Sequence, residues 1–263
     1  MDFGLKDKVA LVAAASRGLG RAIAEELGAE GASLVLCARG AEALNETREH
    51  IARTAGVPII SLTADVAVAE DVSRVVKAGI SRFGRIDILV TNAGGPPPGG
   101  FENLDREAWR VATRLTLDSV LELTRAVLPG MKERRWGRIL NVTSIAVKQP
   151  VDNLMLSNSL RAAVTGFART LANEVAAYGV TVNNILPGYT RTKRVEELAQ
   201  ALAASEGVSA AEVRARWEAE IPAGRLGEPR EFAALAAFLA SERASYITGT
   251  SITVDGGWVK SLF

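Results

Sequence analysis

The stretch VALVAAASRGLGRAIAEELG, from Val9 to Gly28, decides the fold of this chain. It opens with a continuous apolar run, which is typical of a strand buried on both faces. Beyond two glycines, Leu19, Ile23 and Leu27 recur at helical spacing. The stretch therefore predicts a strand, a tight turn and a helix, and a turn of this kind directs free backbone N–H groups at a phosphate.

Outward from this stretch, the chain alternates short apolar runs with longer helical patterns. Further strands are predicted over residues 33–38, 58–63, 87–92, 138–143, 180–186 and 251–254, and helices over 41–55, 68–83, 105–132, 153–178 and 228–241. Within 105–132, Pro129 and Gly130 predict a break or an end of the helix. A polar, alanine-rich excursion of helical character covers 190–220. This alternation predicts an α/β fold, a doubly wound parallel sheet of about seven strands with helices on both faces.

Length and charge set the outer limits of function. With 263 residues, 48% of them hydrophobic, the chain is long enough for a substantial core, so residues 1–263 are predicted to form a single domain. A net charge of +1 leaves no electrostatic footprint for nucleic acid. No apolar run approaches the roughly 18 residues of a membrane span, and residues 1–8 lack the apolar core of a signal peptide. A cytoplasmic protein without membrane or nucleic-acid partners is expected.

Metal binding is not expected, because the chain has one cysteine and one histidine. Cys37 lies in the apolar run SLVLCA, which indicates a buried strand residue. His50 lies in a charged helical stretch, which indicates a solvated helix face. This composition excludes an internal disulfide, a cysteine-based metal cluster and any mechanism that needs a histidine pair.

Ligands of doubly wound sheets lie outside the carboxyl ends of the strands, so the loops after the strands carry the candidate binding residues. In the first loop, Gly18 permits close approach of the backbone and Gly20 permits helix–strand packing. Arg39 stands about 20 residues downstream, where an NAD-binding protein places an acid on the ribose hydroxyls. With Arg17 in the glycine turn, two guanidiniums are available for a 2′-phosphate. The alternative, that both arginines are merely solvated, stays open.

The third and fourth loops add polar residues at the same edge of the sheet. Asp65 can accept a hydrogen bond from an adenine amino group, Asn92 can tie neighbouring strands together, and Gly94 can let a cofactor approach. Each of them is an ordinary turn residue by itself. Because they follow successive strands, together they indicate a dinucleotide site.

Six motifs in this order resemble the short-chain dehydrogenase/reductase family over essentially the whole chain. They look most like those of the bacterial 3-oxoacyl-(acyl-carrier-protein) reductases and their relatives. The resemblance implies a single Rossmann domain, a nicotinamide dinucleotide, and a homotetramer or homodimer built through the helices 105–132 and 153–178. The motifs are ASRGLG at Ala15–Gly20, ADV at Ala64–Val66, NAG at Asn92–Gly94, NVTS at Asn141–Ser144, VNNILPG at Val182–Gly188 with Thr192 beyond it, and ITGTSITVDGGW at Ile247–Trp258.

The resemblance assigns cofactor contacts to every loop at this edge of the sheet. The acid that would bind the ribose hydroxyls of NAD is missing, and Arg17 and Arg39 can bind a 2′-phosphate instead. NADP(H) is therefore expected in preference to NAD(H). The implied cofactor residues are Ala14, Ser16, Arg17, Gly18, Leu19, Gly20, Arg39, Asp65, Val66, Asn92, Ala93, Gly94, Arg161, Pro187, Gly188 and Thr192.

The four catalytic positions that the family implies are only partly kept. The serine that orients the substrate carbonyl is present as Ser144. Ser157 stands where the family has its proton-transferring tyrosine, and Arg161 stands where it has a lysine. Thr116 occupies the asparagine position, and Ala14 aligns with the first glycine of the turn.

These replacements change the expected chemistry. A serine hydroxyl is a far weaker acid than a phenol with a pKa of about 10, and Ser157 is too short to reach the phenol's position. Ser157 can instead hold a water that relays a proton. Arg161 keeps the positive charge and can bond ribose hydroxyls, but it does not titrate. The methyl group of Ala14 limits positive backbone dihedrals and can crowd the diphosphate.

Two hypotheses for function follow. In the first, the protein reduces the carbonyl of a small-molecule or acyl substrate with NADPH. Its proton then comes from a water at Ser157, from Ser144 or from Tyr189, although a position in the pocket wall explains Tyr189 better. In the second, the protein is a catalytically inactive nucleotide-binding or scaffold protein.

The segment from about 188 to 224 is expected to be a substrate lid. Leu198, Leu202 and Trp217 form either an apolar cover for the substrate or the core of a helical pair. The basic residues of the segment fit the edge of a lid better than a nucleic-acid surface, and they are Arg191, Lys193 and Arg194.

Overall fold

A computed structural model describes residues 2–262 of the chain. Within that range, seven parallel strands form one sheet. Most of the strand residues are apolar because helices cover both faces of the sheet. The strands are β1 (Val9–Ala13), β2 (Ser33–Ala38), β3 (Ile59–Thr63), β4 (Ile88–Thr91), β5 (Gly137–Val142), β6 (Val180–Pro187) and β7 (Ser251–Val254).

Helices fill the connections between the strands. The α-helices of the described range are α1 (Gly18–Ala29), α2 (Ala41–Ala55), α3 (Ala69–Phe83), α4 (Arg106–Thr113), α5 (Ser119–Glu133), α6 (Met155–Val175), α7 (Lys193–Glu206), α8 (Ala210–Glu220) and α9 (Pro229–Ala240). A π-helical turn, Arg114–Asp118, joins α4 to α5. Short 3-10 helices occur at Phe101–Asn103, Ile145–Val147, Ala176–Tyr178 and Glu242–Ala244.

The order of the strands fixes where a ligand can lie. The order is β3-β2-β1-β4-β5-β6-β7, so β1 pairs with both β2 and β4. The chain runs outward from β1 to β3, returns to β4 and then continues to the other edge. Connections on the two sides of β1 therefore leave in opposite directions, and the loops after β1 and β4 open a crevice at the carboxyl ends. The predicted fold class is confirmed.

Two apolar clusters flank the sheet, one on each face. On one face, Ile23 and Leu27 of α1 pack with Phe232 of α9. On the other face, Leu123 of α5 packs with Leu171 of α6. These side chains are almost fully buried, and each contributes roughly 1.5–3 kcal/mol by leaving water. Rigid packing on both faces holds the loops at the carboxyl ends in place.

The predicted break at Pro129 and Gly130 is wrong, because α5 continues through both residues to Glu133. Proline removes one backbone N–H and so leaves the carbonyl of Arg125 without its helical partner. Pro129 and Arg125 both lie on an exposed face, where water can satisfy that carbonyl. The interruption of the predicted helix 105–132 lies instead at the π-helical turn 114–118.

The single cysteine and the single histidine lie where the sequence predicts. Cys37 is 1% exposed within β2. His50 lies on α2 with its ring half exposed and 3.6 Å from the carboxylate of Glu25. None of the helices described is long and apolar enough to cross a membrane. Among residues 2–262, no group of three or more potential ligand side chains could hold a metal ion.

Candidate active site

Two adjoining cavities lie at the carboxyl ends of the strands, and together they form the cleft. The larger has a volume of about 490 Å³, and the smaller has a volume of about 320 Å³. Their shared lining residues show that they are continuous, and these are Ala14, Arg17, Arg39, Ala93 and Gly94. Of the sixteen predicted cofactor residues, fifteen line one or both cavities. The sixteenth, Gly20, is buried beneath the turn.

The glycine turn presents an open helix terminus to the cleft. Arg17 is the N-cap of α1, no described side chain caps this terminus, and the first turn carries no acid. Gly18 has a φ of +55° and lines the larger cavity. A side chain at Gly20 would overlap the carbonyl oxygen of Ala14. The free N–H groups of this turn and the positive end of the helix dipole suit a phosphate.

Ala14 adopts the left-handed conformation that its position demands. Its φ is +49°, although it carries a methyl group. An L-residue in this region costs about 1–2 kcal/mol relative to its preferred conformations. The turn thus keeps the shape that a glycine would give it, with a methyl group added to the wall of the cleft.

The smaller cavity gathers the residues predicted to surround an adenosine. Arg17 and Arg39 line it together with Ser16, Asp65 and Val66. Arg39 is exposed, and its Nη2 lies 3.8 Å from the point where a Cβ on Gly94 would stand. Two guanidiniums therefore face one end of the cleft.

Asp65 is partly engaged by its own loop. Its Oδ1 accepts a hydrogen bond from the N–H of Ala67 at 2.9 Å, and its N–H donates to Oδ2 of Asp71 at 2.7 Å. These bonds fix the turn after β3 and leave the second carboxylate oxygen of Asp65 for a ligand.

A buried polar ladder ties four strands together just below the cleft. The hydroxyl of Thr91 donates to Oδ1 of Asn141 at 2.7 Å, and Nδ2 of Asn141 donates to Oδ1 of Asn184 at 3.1 Å. Asn184 donates in turn to Oγ of Ser251 at 3.1 Å. These four residues are direct partners in the strand register.

The predicted role of Asn92 in tying strands is corrected by this ladder. Thr91 carries it, because Thr91 is the register partner of Asn141 and successive side chains along a strand point to opposite faces of the sheet. Asn92 turns toward the glycine turn instead, where its Nδ2 lies 2.8 Å from the point at which a Cβ on Gly20 would stand.

Ser144 stands at the end of β5 and is fixed by its own loop. Its Oγ accepts a hydrogen bond from the N–H of Ala146 at 3.1 Å and so caps the short 3-10 helix that follows. The serine hydroxyl can accept at one lone pair and still donate its own hydrogen. Ser144 lines the larger cavity, so that hydrogen is available to a carbonyl oxygen in the cleft.

Ser157 and Arg161 lie one turn apart on α6, and both line the same cavity. Nη1 of Arg161 donates to the carbonyl oxygens of Val142 at 2.9 Å and Thr143 at 2.8 Å. Nε of Arg161 is buried and has no hydrogen-bond partner in the described part of the chain. Burial, followed by the nearby charge of Arg194, lowers the pKa of Arg161 to about 10. The guanidinium therefore stays charged at neutral pH.

Thr116 is the one predicted catalytic residue that does not reach the cleft. It is buried in the π-helical turn, and its Oγ1 has no hydrogen-bond partner among residues 2–262. Its neighbour Leu115 lines the smaller cavity.

Tyr189 forms part of the wall. Its ring stacks on Trp217 with the centroids 4.5 Å apart and meets the edge of Trp258 at 5.9 Å. Burial, with smaller contributions from Glu220 and Asp152, raises the pKa of Tyr189 to about 12. The phenol is a poor acid in this environment, which favours the wall position over a proton-donating role.

The α7–α8 pair covers one side of the cleft and has an apolar core of its own. Trp217 belongs to that core, and Leu202 packs against it. Leu198 also packs there, and in addition it lines the larger cavity. Of the two interpretations of these residues, the core of a helical pair accounts for Leu202 and Trp217, whereas Leu198 also reaches the cleft.

Arg194 is a cleft residue that the sequence placed only at the edge of a lid. Its Nη2 donates to the carbonyl oxygen of Pro96 at 2.8 Å. Its guanidinium stands about 3.0 Å from the point where a Cβ on Gly95 would lie. Its position in the first turn of α7, just after Thr192, was the available signal, because the start of that helix faces the carboxyl ends of the strands.

A dinucleotide-sized cleft at the switch point of a doubly wound sheet, with an open helix terminus and a serine after β5, defines a nucleotide-binding protein of the Rossmann class. Comparison with known proteins identifies the family. A family model described as enoyl-(acyl carrier protein) reductase matches residues 13–259. The chain belongs to the short-chain dehydrogenase/reductase family.

Its relatives are oxidoreductases. The chain is 37% identical over 253 residues to the 3-oxoacyl-(acyl-carrier-protein) reductase FabG of Vibrio cholerae, covering 96% of this chain and 98% of the relative. L-Sorbose reductase from Gluconobacter frateurii, solved with NADPH and L-sorbose, superposes with a TM-score of 0.94 at 35% identity, with both chains covered fully. A variant of actinorhodin polyketide ketoreductase solved with NADPH gives a TM-score of 0.93 at 35% identity, covering 97% of this chain and 98% of that one.

Proposed function

We propose that this protein reduces a carbonyl group with NADPH, using an active site that keeps the family's serine as Ser144 and has Ser157 and Arg161 in place of the usual tyrosine and lysine. The observation that carries the proposal is the continuous cleft. Guanidiniums line one end of it, and two serine hydroxyls with a buried cation line the other. This arrangement suits a phosphorylated dinucleotide that spans the cleft with its nicotinamide beside the serines.

The residues present fit such a cofactor. The open N-terminus of α1 would hold the diphosphate, Arg17 and Arg39 the 2′-phosphate, and Asp65 the adenine. The nicotinamide end would lie against residues at the end of β6 and just beyond it, which are Pro187, Gly188 and Thr192. When bound, NADPH supplies a hydride. The preference for NADPH over NADH rests on the two arginines and agrees with the NADPH found in the structures of two relatives.

The chain's own residues orient the carbonyl and stabilise charge on its oxygen. Ser144 donates its hydroxyl hydrogen to the substrate oxygen, because its own Oγ is held by the N–H of Ala146. The buried guanidinium of Arg161 favours negative charge on the same oxygen. Ser157 holds a water in the space that a tyrosine side chain would fill, and that water gives its proton to the substrate oxygen while it takes one from solvent, so that it relays the proton.

The remaining features belong to the same proposal. The segment 188–224, which contains α7 and α8, acts as the lid of a single domain spanning residues 1–263. A homotetramer or homodimer forms through the helices within 105–132 and 153–178, and the protein acts in the cytoplasm.

One observation favours a second function, nucleotide binding without turnover. Nη1 of Arg161 is held by two backbone carbonyls, and no described phenol takes the proton-donating place. Such a protein would bind NADPH through the same residues and leave the carbonyl unreduced.

The cofactor assignment predicts a difference between two nucleotides that differ only in the 2′-phosphate. Isothermal titration of the intact protein is expected to show NADPH binding at least about tenfold more tightly than NADH, since a charge-assisted contact contributes roughly 1.5–3 kcal/mol. Arg39→Ala is expected to remove most of that difference by weakening NADPH alone.

Arg48→Ala is the matched control, because Arg48 lies on α2, pairs with Glu49 and lines neither cavity. It is expected to leave both affinities unchanged. Equal affinities of the wild-type protein for the two nucleotides, or binding of neither, would contradict the cofactor assignment.

A further inference from the structure

The larger cavity carries more positive charge than a 2′-phosphate explains. Among its described lining residues, five are basic and one, Glu197, is acidic. Arg17 and Arg39 also line the smaller cavity, whereas the other basic residues do not. Those three are Arg161, Lys193 and Arg194. Arg161 lies one turn from Ser157 on α6, and Lys193 and Arg194 lie in the first turn of α7, just after Thr192, whose side chain approaches Gly18.

Within the described part of the chain, two of these three cations have no acidic partner. Arg161 and Arg194 donate to backbone carbonyl oxygens, and neither forms an ion pair with a carboxylate in the described range 2–262. Nε of Arg161 is buried without a partner in that range. Lys193 differs, because its ammonium lies 3.9 Å from the carboxylate of Glu197.

The two unpaired guanidiniums are close enough to affect each other. Burial and the charge of Arg194 together lower the pKa of Arg161. Two like charges in one partly closed cavity are unfavourable without a counter-charge, and an anion between them would relieve this cost. Gly95 lets the guanidinium of Arg194 approach the backbone closely, because a side chain there would meet that guanidinium at 3.0 Å.

Part of the lining of the same cavity is apolar. Val151 and Leu154 line it from the segment before α6, and Leu198 lines it from α7, one turn after Arg194. A ligand that satisfies both the charged and the apolar lining combines a short carbon chain with one negative charge. A carbonyl placed at Ser144 would then lie a few bonds away from that charge.

We propose that Arg194, supported by the charge of Arg161, forms a subsite for a carboxylate of the substrate, so that the protein prefers a short oxo acid to the corresponding neutral ketone or ester. This proposal rests on the proposed function and names its substrate class. The competing source of negative charge in the cleft is the cofactor's diphosphate, and the two sources give different results on substitution of Arg194.

The test uses a matched pair of probes, acetoacetate and its methyl ester, which share the carbonyl and differ in charge. Each is titrated calorimetrically into the full-length protein saturated with NADP⁺, so that no turnover occurs. Acetoacetate is expected to bind at least about tenfold more tightly than the ester. Arg194→Gln is expected to abolish this preference and to leave the affinity for NADPH unchanged. Lys193→Gln removes the same charge one residue away and is expected to keep the preference.

Three results would overturn the subsite. They are equal binding of acid and ester, no binding of acetoacetate, and an Arg194→Gln variant that loses NADPH affinity about tenfold while it keeps the preference for the acid. The last result would assign Arg194 to the diphosphate. If NADPH does not bind the wild-type protein, the proposed function fails, and titration of acetoacetate into the protein alone decides the subsite. Binding that Arg194→Gln removes would support the subsite, and absence of binding would overturn it.

Discussion

At the scale of single residues, the chemistry of the cleft depends on two neighbours on α6. Ser157 offers a hydroxyl, and Arg161 offers a cation that is held by the end of β5. Neither side chain exchanges a proton near neutral pH, because a serine hydroxyl is a very weak acid and the pKa of Arg161 is about 10. Proton transfer through water is therefore the slow part of the proposed reaction.

The titratable groups that line the cleft near Ser157 predict the pH dependence of turnover. Arg161 is protonated below its pKa of about 10, and Tyr189 is protonated below its pKa of about 12. The charge that stabilises the substrate oxygen is thus fully present at neutral pH and lost only as the pH rises through about 10. We expect kcat to stay flat between about pH 6 and about pH 9. Steady-state measurement of NADPH oxidation across this range checks it, and a limb with an apparent pKa inside the range would contradict it.

The double variant Ser157→Tyr with Arg161→Lys is the comparison for this profile. It restores a phenol beside a titratable amine, so kcat is expected to rise by about 10²-fold and to acquire a pH-dependent limb. Glu46→Tyr places the same side chain on an exposed face of α2, outside both cavities, and is expected to change neither quantity. If the wild-type protein already turns over as fast as the double variant, proton transfer at Ser157 does not limit the rate, and the prediction is wrong.

The residue identities at the site were predictable from the sequence, but several of their partners were not. Motif spacing located Ser144, Ser157 and Arg161 in the cleft. It did not show that Arg161 turns Nη1 to the carbonyls of β5, because side-chain direction depends on contacts from a distant strand. Motif spacing also assigned to Asn92 the hydrogen bond between strands that Thr91 makes, since a shift of one residue decides which face of the sheet a side chain occupies.

At the scale of elements, the strands and most helices were predictable because their signals are local. The buried runs of a parallel sheet are continuous, and glycines at positive φ end helices such as α2 and α3. The π-helical turn and the passage of α5 through Pro129 were not predictable. Whether a proline ends a helix depends on whether the freed carbonyl can reach water, which is a property of the packed structure.

The polar ladder across β4 to β7 predicts a stability difference between two buried threonines. Thr91 donates to Asn141, so Thr91→Val leaves a buried amide oxygen without its donor and is expected to lower the free energy of unfolding by about 1–3 kcal/mol. Urea denaturation followed by circular dichroism measures this change.

Thr181→Val is the matched control on β6. Oγ1 of Thr181 is buried and has no hydrogen-bond partner among the described residues. Replacing that hydroxyl with a methyl group of similar size is therefore expected to be neutral or slightly stabilising. Equal losses for the two variants would show that the ladder contributes no more than any buried threonine.

At the scale of the whole molecule, the strand order brings the functional residues to one edge. Loops after β1, β2, β3 and β4 supply the end of the cleft with Arg17 and Arg39, while β5, β6 and α6 supply the end with Ser144 and Ser157. The sequence predicted this gathering because parallel strands present their carboxyl ends together. The pairing of two positive charges at Arg161 and Arg194 was not predictable, because it depends on how α7 lies over the cleft.

The central claim is that this cleft reduces a carbonyl with NADPH, and transfer of the hydrogen itself tests it most directly. The protein is mixed in excess with NADPH deuterated at C4 of the nicotinamide ring and with acetoacetate or methyl acetoacetate, and the quenched products are analysed by mass spectrometry. The account predicts a 3-hydroxy product that carries the deuterium at its carbinol carbon, formed slowly and in larger amount from the acid. Bound NADPH that stays intact, with no label in either product, would contradict the account and identify a nucleotide-binding protein without turnover.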